Sequence, residues 1–365
     1  MRSNRRRGTA VAALVLAAVL GVGSWTPADA QTPLTGPPQG SAQWVADTAL
    51  GVRLPDPATA SPAEVTAFFG GLTPDQQRQL AFRHPQVLGN LDGAPIPLRY
   101  LANSLAVTQE RVRELSRAAD LALPSEEREQ AARLAARYAG LSGRRLLAFD
   151  PRGRGQLAEV FGDLTHDART AVLVPGSDTD LSTFDRLADT AKALRTATDD
   201  RVAVVAWVGY TTPVGVGIDA AREELARAGA PRLARLVAGL APVTGPVTLF
   251  CHSYGSVVCG QSAPDPAQVA GLVVFASPGL GLARADEVRV PVWAVARNPE
   301  DWISNVPNVS VLGFGHGADP TSPAFGAHLL PSTGSHGHSD YFAPGSASLA
   351  AFAALAATGS PTTTA

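Results

Sequence analysis

The chain carries only two cysteines, Cys251 and Cys259, and a single lysine, Lys192. Two cysteines build neither a disulfide framework nor a cysteine-based zinc site. In an oxidising compartment they can close one bridge. The expectation from sequence is nevertheless two small buried residues that stay apart, because a strand-to-helix connection tends to hold the Cα atoms beyond the roughly 7 Å that a bridge tolerates. The lone lysine falls in a predicted helix, which removes a Ser/Lys dyad from the ways of activating a serine. There are no basic blocks, so nucleic acid is not an expected partner. No G-x-x-x-x-G-K-[ST], strand-borne G-x-G-x-x-G or H-E-x-x-H motif is present, so nothing calls for a nucleotide, a metal or another cofactor. His336 and His338 form an H-x-H with Asp340 nearby, but a loop pair without a third neighbouring histidine is a weak ligand set.

What the first thirty residues do contain is specific. Arg2, Arg5, Arg6 and Arg7 precede an apolar run from Ala10 to Leu20, and Ala28-Asp29-Ala30 stands ahead of Gln31. This order reads as a secretory signal peptide cleaved near Ala30. The run is interrupted by Gly21 and Gly23 and falls short of the roughly 20 residues that a span requires, so no stable membrane anchor is expected. Removal of residues 1–30 leaves 26 basic and 31 acidic side chains, a formal charge of −5. The expected product is secreted; its oligomeric state is not legible.

A Pro/Gly/Gln-rich linker over 31–42 leads into a helical segment over 43–142. Ser61-Pro62-Ala63-Glu64 and Thr73-Pro74-Asp75-Gln76 each place a hydroxyl at the N-cap, proline at the first helical position and an acid or amide three residues on, the pattern of a capping box. From 143 to 358 the pattern changes to short β-branched runs alternating with amphipathic stretches, and residues 359–365 read as a disordered tail. Leu146–Phe149 and Leu157–Phe161 suggest a hairpin; Thr170–Val174, Val202–Val208, Val247–Phe250, Val269–Phe275, Val290–Val295 and Val309–Phe314 read as buried strands. Buried strands separated by helices imply a three-layer α/β fold around a mostly parallel sheet of about eight strands.

The chemistry concentrates at Phe250-Cys251-His252-Ser253-Tyr254-Gly255-Ser256, a strand, a tight turn and a helix start with serine at the apex. Such a turn projects a hydroxyl above the sheet and demands small neighbours, because strand and helix pass within touching distance. Cys251 stands where glycine is usual, so the match to G-x-S-x-G is incomplete. A serine hydroxyl becomes a nucleophile only beside a base, and an imidazole base needs a carboxylate to orient it. In Gly337-His338-Ser339-Asp340-Tyr341-Phe342, His338 lies on a loop before the last helix and is the assigned base, with His316 as its rival. Asp301, in the turn after the strand ending at Val295, is the assigned acid, ahead of Glu300 and Asp319. The oxyanion donors are assigned to the backbone N–H groups of Tyr254 and of Ser177, the latter following Val174-Pro175-Gly176. Trp207, Tyr210 and the Pro213–Val216 loop are expected to bind substrate by bordering the acyl pocket.

These residues resemble a family of α/β-hydrolases, many exported, that is common in actinobacteria. The similar stretches are Leu88-Gly89-Asn90-Leu91-Asp92-Gly93-Ala94-Pro95 with Arg99 and Asn103, Val174-Pro175-Gly176, Trp207-Val208-Gly209-Tyr210, the serine turn, His316-Gly317 and the His338 motif. The resemblance implies the α/β-hydrolase fold and places Ser253, His338 and Asp301 at nucleophile, histidine and acid. Thr211-Thr212-Pro213 departs from it, since an acidic residue more often precedes that proline. The expected activity is hydrolysis of a small-molecule or lipid-like carboxylic ester through an acyl-enzyme, without a cofactor. A peptidase or acyltransferase using the same triad, and a catalytically silent binding protein on the same scaffold, are the alternatives from sequence.

Overall fold

The computed structural model describes residues 31–310 and 313–359. The signal-peptide assignment, most of the tail and part of the expected Val309–Phe314 strand lie outside them. The chain divides into two compact units, residues 35–160 and residues 161–365 together with the segment before residue 35.

The unit spanning 35–160 begins with short helices α1 (Ser41–Ala46), α2 (Pro62–Gly70), α3 (Pro74–Arg83) and α4 (Pro85–Gly89), followed by the long α5 (Ile96–Ala119) and α6 (Ser125–Ala139). Both capping boxes form: the Ser61 and Thr73 hydroxyls accept from the Glu64 and Gln76 amides, and those side chains accept from the two cap amides in return. Trp44, Phe69, Leu80 and Leu88 make the core of this unit. The hairpin β1 (Leu146–Asp150) and β2 (Gln156–Phe161) groups with these helices, which moves the boundary about eighteen residues beyond the 142/143 division expected from sequence. Polar side chains explain why. Buried Arg99 donates to the Leu147 carbonyl at 2.6 Å, Asn103 to that of Leu146 at 2.8 Å, and Asn90 exchanges two bonds with the Phe149 backbone. The Leu88–Pro95 motif with Arg99 and Asn103 therefore holds β1 against the helices.

Eight strands make the main sheet. Six belong to the other unit: β3 (Arg169–Val174), β4 (Val202–Val208), β5 (Val247–His252), β6 (Val269–Phe275), β8 (Val292–Val295) and β10 (His328–Leu330). They run parallel in the order β4-β3-β5-β6-β8-β10. A small second sheet pairs β7 (Gly279–Leu282) with β9 (His316–Gly317). All seven residues of β4 are buried, the pattern of a strand covered on both faces. Helix α7 (Phe184–Ala197) packs on α11 (Ala347–Thr358), and α9 (Glu224–Thr244) on α10 (Gly255–Gln261), with the short α8 (Ile218–Ala221) between β4 and α9. The outermost strand corrects the sequence reading. No strand forms over the described part of Val309–Phe314, where Phe314 makes one isolated bridge with Arg222; the sheet ends instead on His328–Leu330. This strand is three residues long, is half exposed at Leu329 and stops at Pro331, so it carries little of the buried pattern that marks a strand in sequence.

Cys251 and Cys259 form a disulfide, with Cα atoms 6.5 Å apart, which overturns the expectation of two separate thiols. The turn after β5 is tight enough to bring the first turn of α10 back within bridging distance. The bridge closes a short loop around the serine turn. Replacing both cysteines with alanine should lower stability by about 2–3 kcal/mol through loop-closure entropy alone. Denaturant melts of the double variant against the oxidised protein measure this, and an unchanged midpoint would show that the bridge is energetically idle.

Candidate active site

The chain leaves β3 for β4 on one side and returns to β5 on the other, so the loops after β3 and β5 diverge at the carboxyl edge of the sheet. That switch point is where open α/β sheets hold ligands. Ser253 sits there at the apex of the turn, with φ 50°. A left-handed serine costs of order 1–3 kcal/mol and persists only where its surroundings impose it. They do so by contact. A Cβ on Gly255 would lie 2.5 Å from the carbonyl oxygens of both Val174 and Pro175, and a Cβ on Gly176 would lie 2.6 Å from the Ser253 Cβ. Backbone thus touches backbone on both sides of the nucleophile. The Ser253 N–H donates to the Phe275 carbonyl at 3.0 Å, and the buried Ser256 hydroxyl lies 2.6 Å from that of Ser277 directly beneath.

The structure brings together the three residues assigned as nucleophile, base and acid. His338 Nε2 lies 2.9 Å from Ser253 Oγ, and its Nδ1 lies 2.7 Å from Asp301 Oδ1. With a carboxylate beside it, Nδ1 carries the proton and Nε2 is left to accept from the serine hydroxyl. Asp301 is 1% exposed. Burial alone would raise its pKa, but the hydrogen bond and charge of His338, the Ile303 N–H and the Tyr341 hydroxyl together hold it below the usual carboxylate value. The Tyr341 hydroxyl donates to Asp301 Oδ2 at 2.8 Å, filling the second oxygen. Both rival acids are engaged elsewhere: Glu300 pairs with exposed His336 at 3.1 Å, and Asp319 lies 3.4 Å from Arg297. The rival base His316 is buried and its Nε2 donates to the Ala220 carbonyl at 2.7 Å. His338 is committed to Ser253 and Asp301, so it does not pair with His336 around a metal, and no group of three potential ligands occurs among the described residues.

Several residues that sequence reasoning passed over hold the base in place. One is His252, next to Ser253 in the chain, whose Nε2 donates to the His338 carbonyl at 2.9 Å. Asn298 donates to the carbonyl of neighbouring Gly337 at 2.8 Å, and Trp302 lies against the His338 ring with centroids 4.4 Å apart. Tyr341 was visible within the His338 motif, three residues beyond the histidine; Asn298 and His252 carry no spacing signal, since what they bond is backbone from a distant loop.

The second correction concerns Trp207 and Tyr210. Both are buried and neither lines a cavity at Ser253. Tyr210 donates to the Pro175 carbonyl at 2.6 Å and its ring stacks between Trp207 and Tyr254. They follow a fully buried strand, so their rings fill the space beneath the loops and support Pro175 and Tyr254 from below. Within the Pro213–Val216 loop, only Val216 reaches the cavities. That loop is tied to the β3 loop: Asp178 N–H donates to the Pro213 carbonyl, Asp178 Oδ1 accepts from Gly215, and Thr212 Oγ1 donates to the Thr179 carbonyl, each at 2.8 Å. Of the unusual Thr211-Thr212 pair, Thr212 supplies a hydroxyl for loop docking, and the Thr211 hydroxyl accepts from the Leu34 N–H at 2.9 Å. Ser177 and Tyr254, assigned as oxyanion donors, line the same cavity as Ser253.

This is the α/β-hydrolase fold, with its sheet order and nucleophile turn. A family model described as alpha/beta hydrolase matches residues 150–311. An uncharacterized protein of Mycobacterium tuberculosis is 27% identical over 377 residues, covering 84% of this chain and 57% of that protein. An uncharacterized protein of Mycobacterium bovis is 38% identical over 95 residues, covering 25% and 35% of the two chains. The chain therefore spans less than two thirds of the length of these curated relatives. Among solved structures, a serine hydrolase without lid from Xanthomonas campestris is 18% identical with a TM-score of 0.33, covering 51% of this chain and 82% of that one. A predicted hydrolase from Thermoplasma acidophilum is 16% identical with a TM-score of 0.35, covering 55% and 92%.

His252 is half-buried, and desolvation pushes its pKa from 6.5 down to about 4. Between these values the unfolded chain binds the proton that the folded chain refuses. Stability should therefore fall as pH drops from about 6.5, with the loss complete below about 4 and amounting to about 3 kcal/mol. Urea midpoints measured across this range for wild type and His252→Gln, which keeps an amide donor for the His338 carbonyl, test the assignment. Identical acid limbs in the two proteins would refute it.

Proposed function

We propose that this α/β-hydrolase-fold protein is a serine hydrolase that cleaves carboxylic esters through an acyl-enzyme. The reading rests on one observation, the continuous hydrogen-bonded path from Ser253 Oγ through His338 to Asp301. Ser253 attacks the ester carbonyl as its proton passes to His338 Nε2. Asp301, buried and kept ionised by His338, the Ile303 N–H and the Tyr341 hydroxyl, stabilises the imidazolium that forms. The N–H groups of Tyr254 and Ser177 receive the oxyanion: one opens α10, the other follows a glycine that allows the loop to approach Ser253 closely. His338 then returns the proton to the departing alcohol, and water repeats the sequence to free the acid.

The Cys251–Cys259 bridge also supports export, since disulfides persist in oxidising compartments and are rare in the cytosol. A leader removed near Ala30 would leave Gln31 as the first residue. Its amide N–H donates to Asp219 at 2.9 Å, and its side chain exchanges bonds with Thr212 and Val214. No helix among the described residues is long and apolar enough to cross a membrane.

Fluorophosphonate labelling of the wild type with loss of label in Ser253→Ala and His338→Ala is the decisive test. The two variants should retain the fold and lose about 10⁴-fold or more in kcat. Wild type that is folded but unlabelled would overturn the reading. Tyr341→Phe, which leaves Asp301 Oδ2 without its phenol donor, should cost about tenfold in kcat with little change in KM, because it disturbs the orientation of the base and no substrate contact. An unchanged kcat would remove Tyr341 from the positioning of Asp301.

A further inference from the structure

Ser253 faces two spaces of unequal size, and only one of them reaches the base. The smaller, about 70 Å³, is walled by Ala220, Ala221, Pro278, Ile303 and Val306 together with the two oxyanion residues, and His338 is not part of its lining. The larger, about 710 Å³, runs past His338 and Ser339. Its lining includes apolar Leu187, Phe275 and Phe342 together with charged Asp178, Arg186 and Asp189.

The proton inventory decides which part of an ester occupies which space. When the carbon–oxygen bond to the alcohol breaks, the electron pair stays on the alcohol oxygen and the proton held on His338 Nε2 joins it. That oxygen must lie within hydrogen-bond reach of His338, so the alcohol extends along the groove that His338 lines. With the carbonyl oxygen directed at the Tyr254 and Ser177 amides, the acyl chain is left with the opposite, smaller cavity.

We infer that the small cavity takes the acyl chain and the groove takes the alcohol, which makes the substrate class short-chain esters of bulky, amphipathic alcohols. This assignment rests on the ester-hydrolase reading and refines it. The cavity has about one tenth of the volume of the groove, so the chain it takes is short. The groove takes an alcohol that is amphipathic, since its lining offers both apolar and charged side chains. Its walls bring the two halves of the ester under separate control, because Ala221 lines only the cavity and Leu187 only the groove.

Two crossed substrate series on the mature protein test this. In the first, p-nitrophenyl esters keep one leaving group while the acyl chain grows from acetyl to decanoyl. In the second, acetates keep one acyl group while the alcohol grows from methanol to menthol and a glucoside. The assignment expects kcat/KM to fall about 100-fold between butanoyl and decanoyl and to rise about tenfold from methyl to the bulky acetates. Ala221→Phe should lower the butanoyl-to-acetyl ratio about tenfold, and Leu187→Trp should lower the menthyl-to-methyl ratio by a similar factor. Long acyl chains accepted with only small alcohols, or ratios that neither substitution moves, would overturn the assignment while leaving the esterase intact. If a fluorophosphonate labels Ser253 but no ester of either series is cleaved, the ester reading itself fails and the assignment with it.

Discussion

The contact on which the site depends is the passage of the β3 loop over the serine turn. Gly176 has no room for a Cβ against Ser253, and Gly255 has none against the carbonyls of Val174 and Pro175. These two close approaches hold Ser253 in a left-handed conformation that an L-residue does not otherwise choose. Because the strain resides in backbone packed against backbone, the hydroxyl needs no lid or ligand to aim it. The same packing leaves Ser177, Ser253 and Tyr254 lining one cavity.

Around that contact the molecule adds layers of restraint. The disulfide ties the strand before the serine to the helix after it. Tyr210 supports Pro175 from below, and the Thr211–Val216 loop is bonded to Asp178 and Thr179. The base loop is restrained through its backbone, with His252 on the His338 carbonyl and Asn298 on that of Gly337, while Asp301 and Trp302 hold the ring itself. Neutral His252 is suited to this role, since a charged imidazole there would repel positive charge on His338.

Legibility in the sequence followed the locality of each signal. Capping boxes, the buried β4 run and the serine turn are written within a few consecutive residues, and each was read correctly. Asp301 and His338 followed from chain order, since this fold brings in its acid and histidine after the nucleophile and on later loops. The last strand was misplaced because Val309–Phe314 looks buried by composition, whereas His328–Leu330 is a short edge segment stabilised by pairing with β8. Trp207 and Tyr210 misled for a related reason: aromatic residues at a strand end suit a binding wall and a core equally, and only the direction of the chain after them distinguishes the two.

The sequence by itself determined the class of fold and the tight turn that carries Ser253, because hydrophobic period and turn chemistry act between near neighbours. Tertiary structure alone decided which of several acids and histidines meet Ser253, that Cys251 reaches Cys259, and that the serine opens onto a narrow cavity and a wide groove. Each of those depends on distances between segments up to about a hundred residues apart, and such distances are set by how the whole sheet and its helices pack rather than by any local pattern.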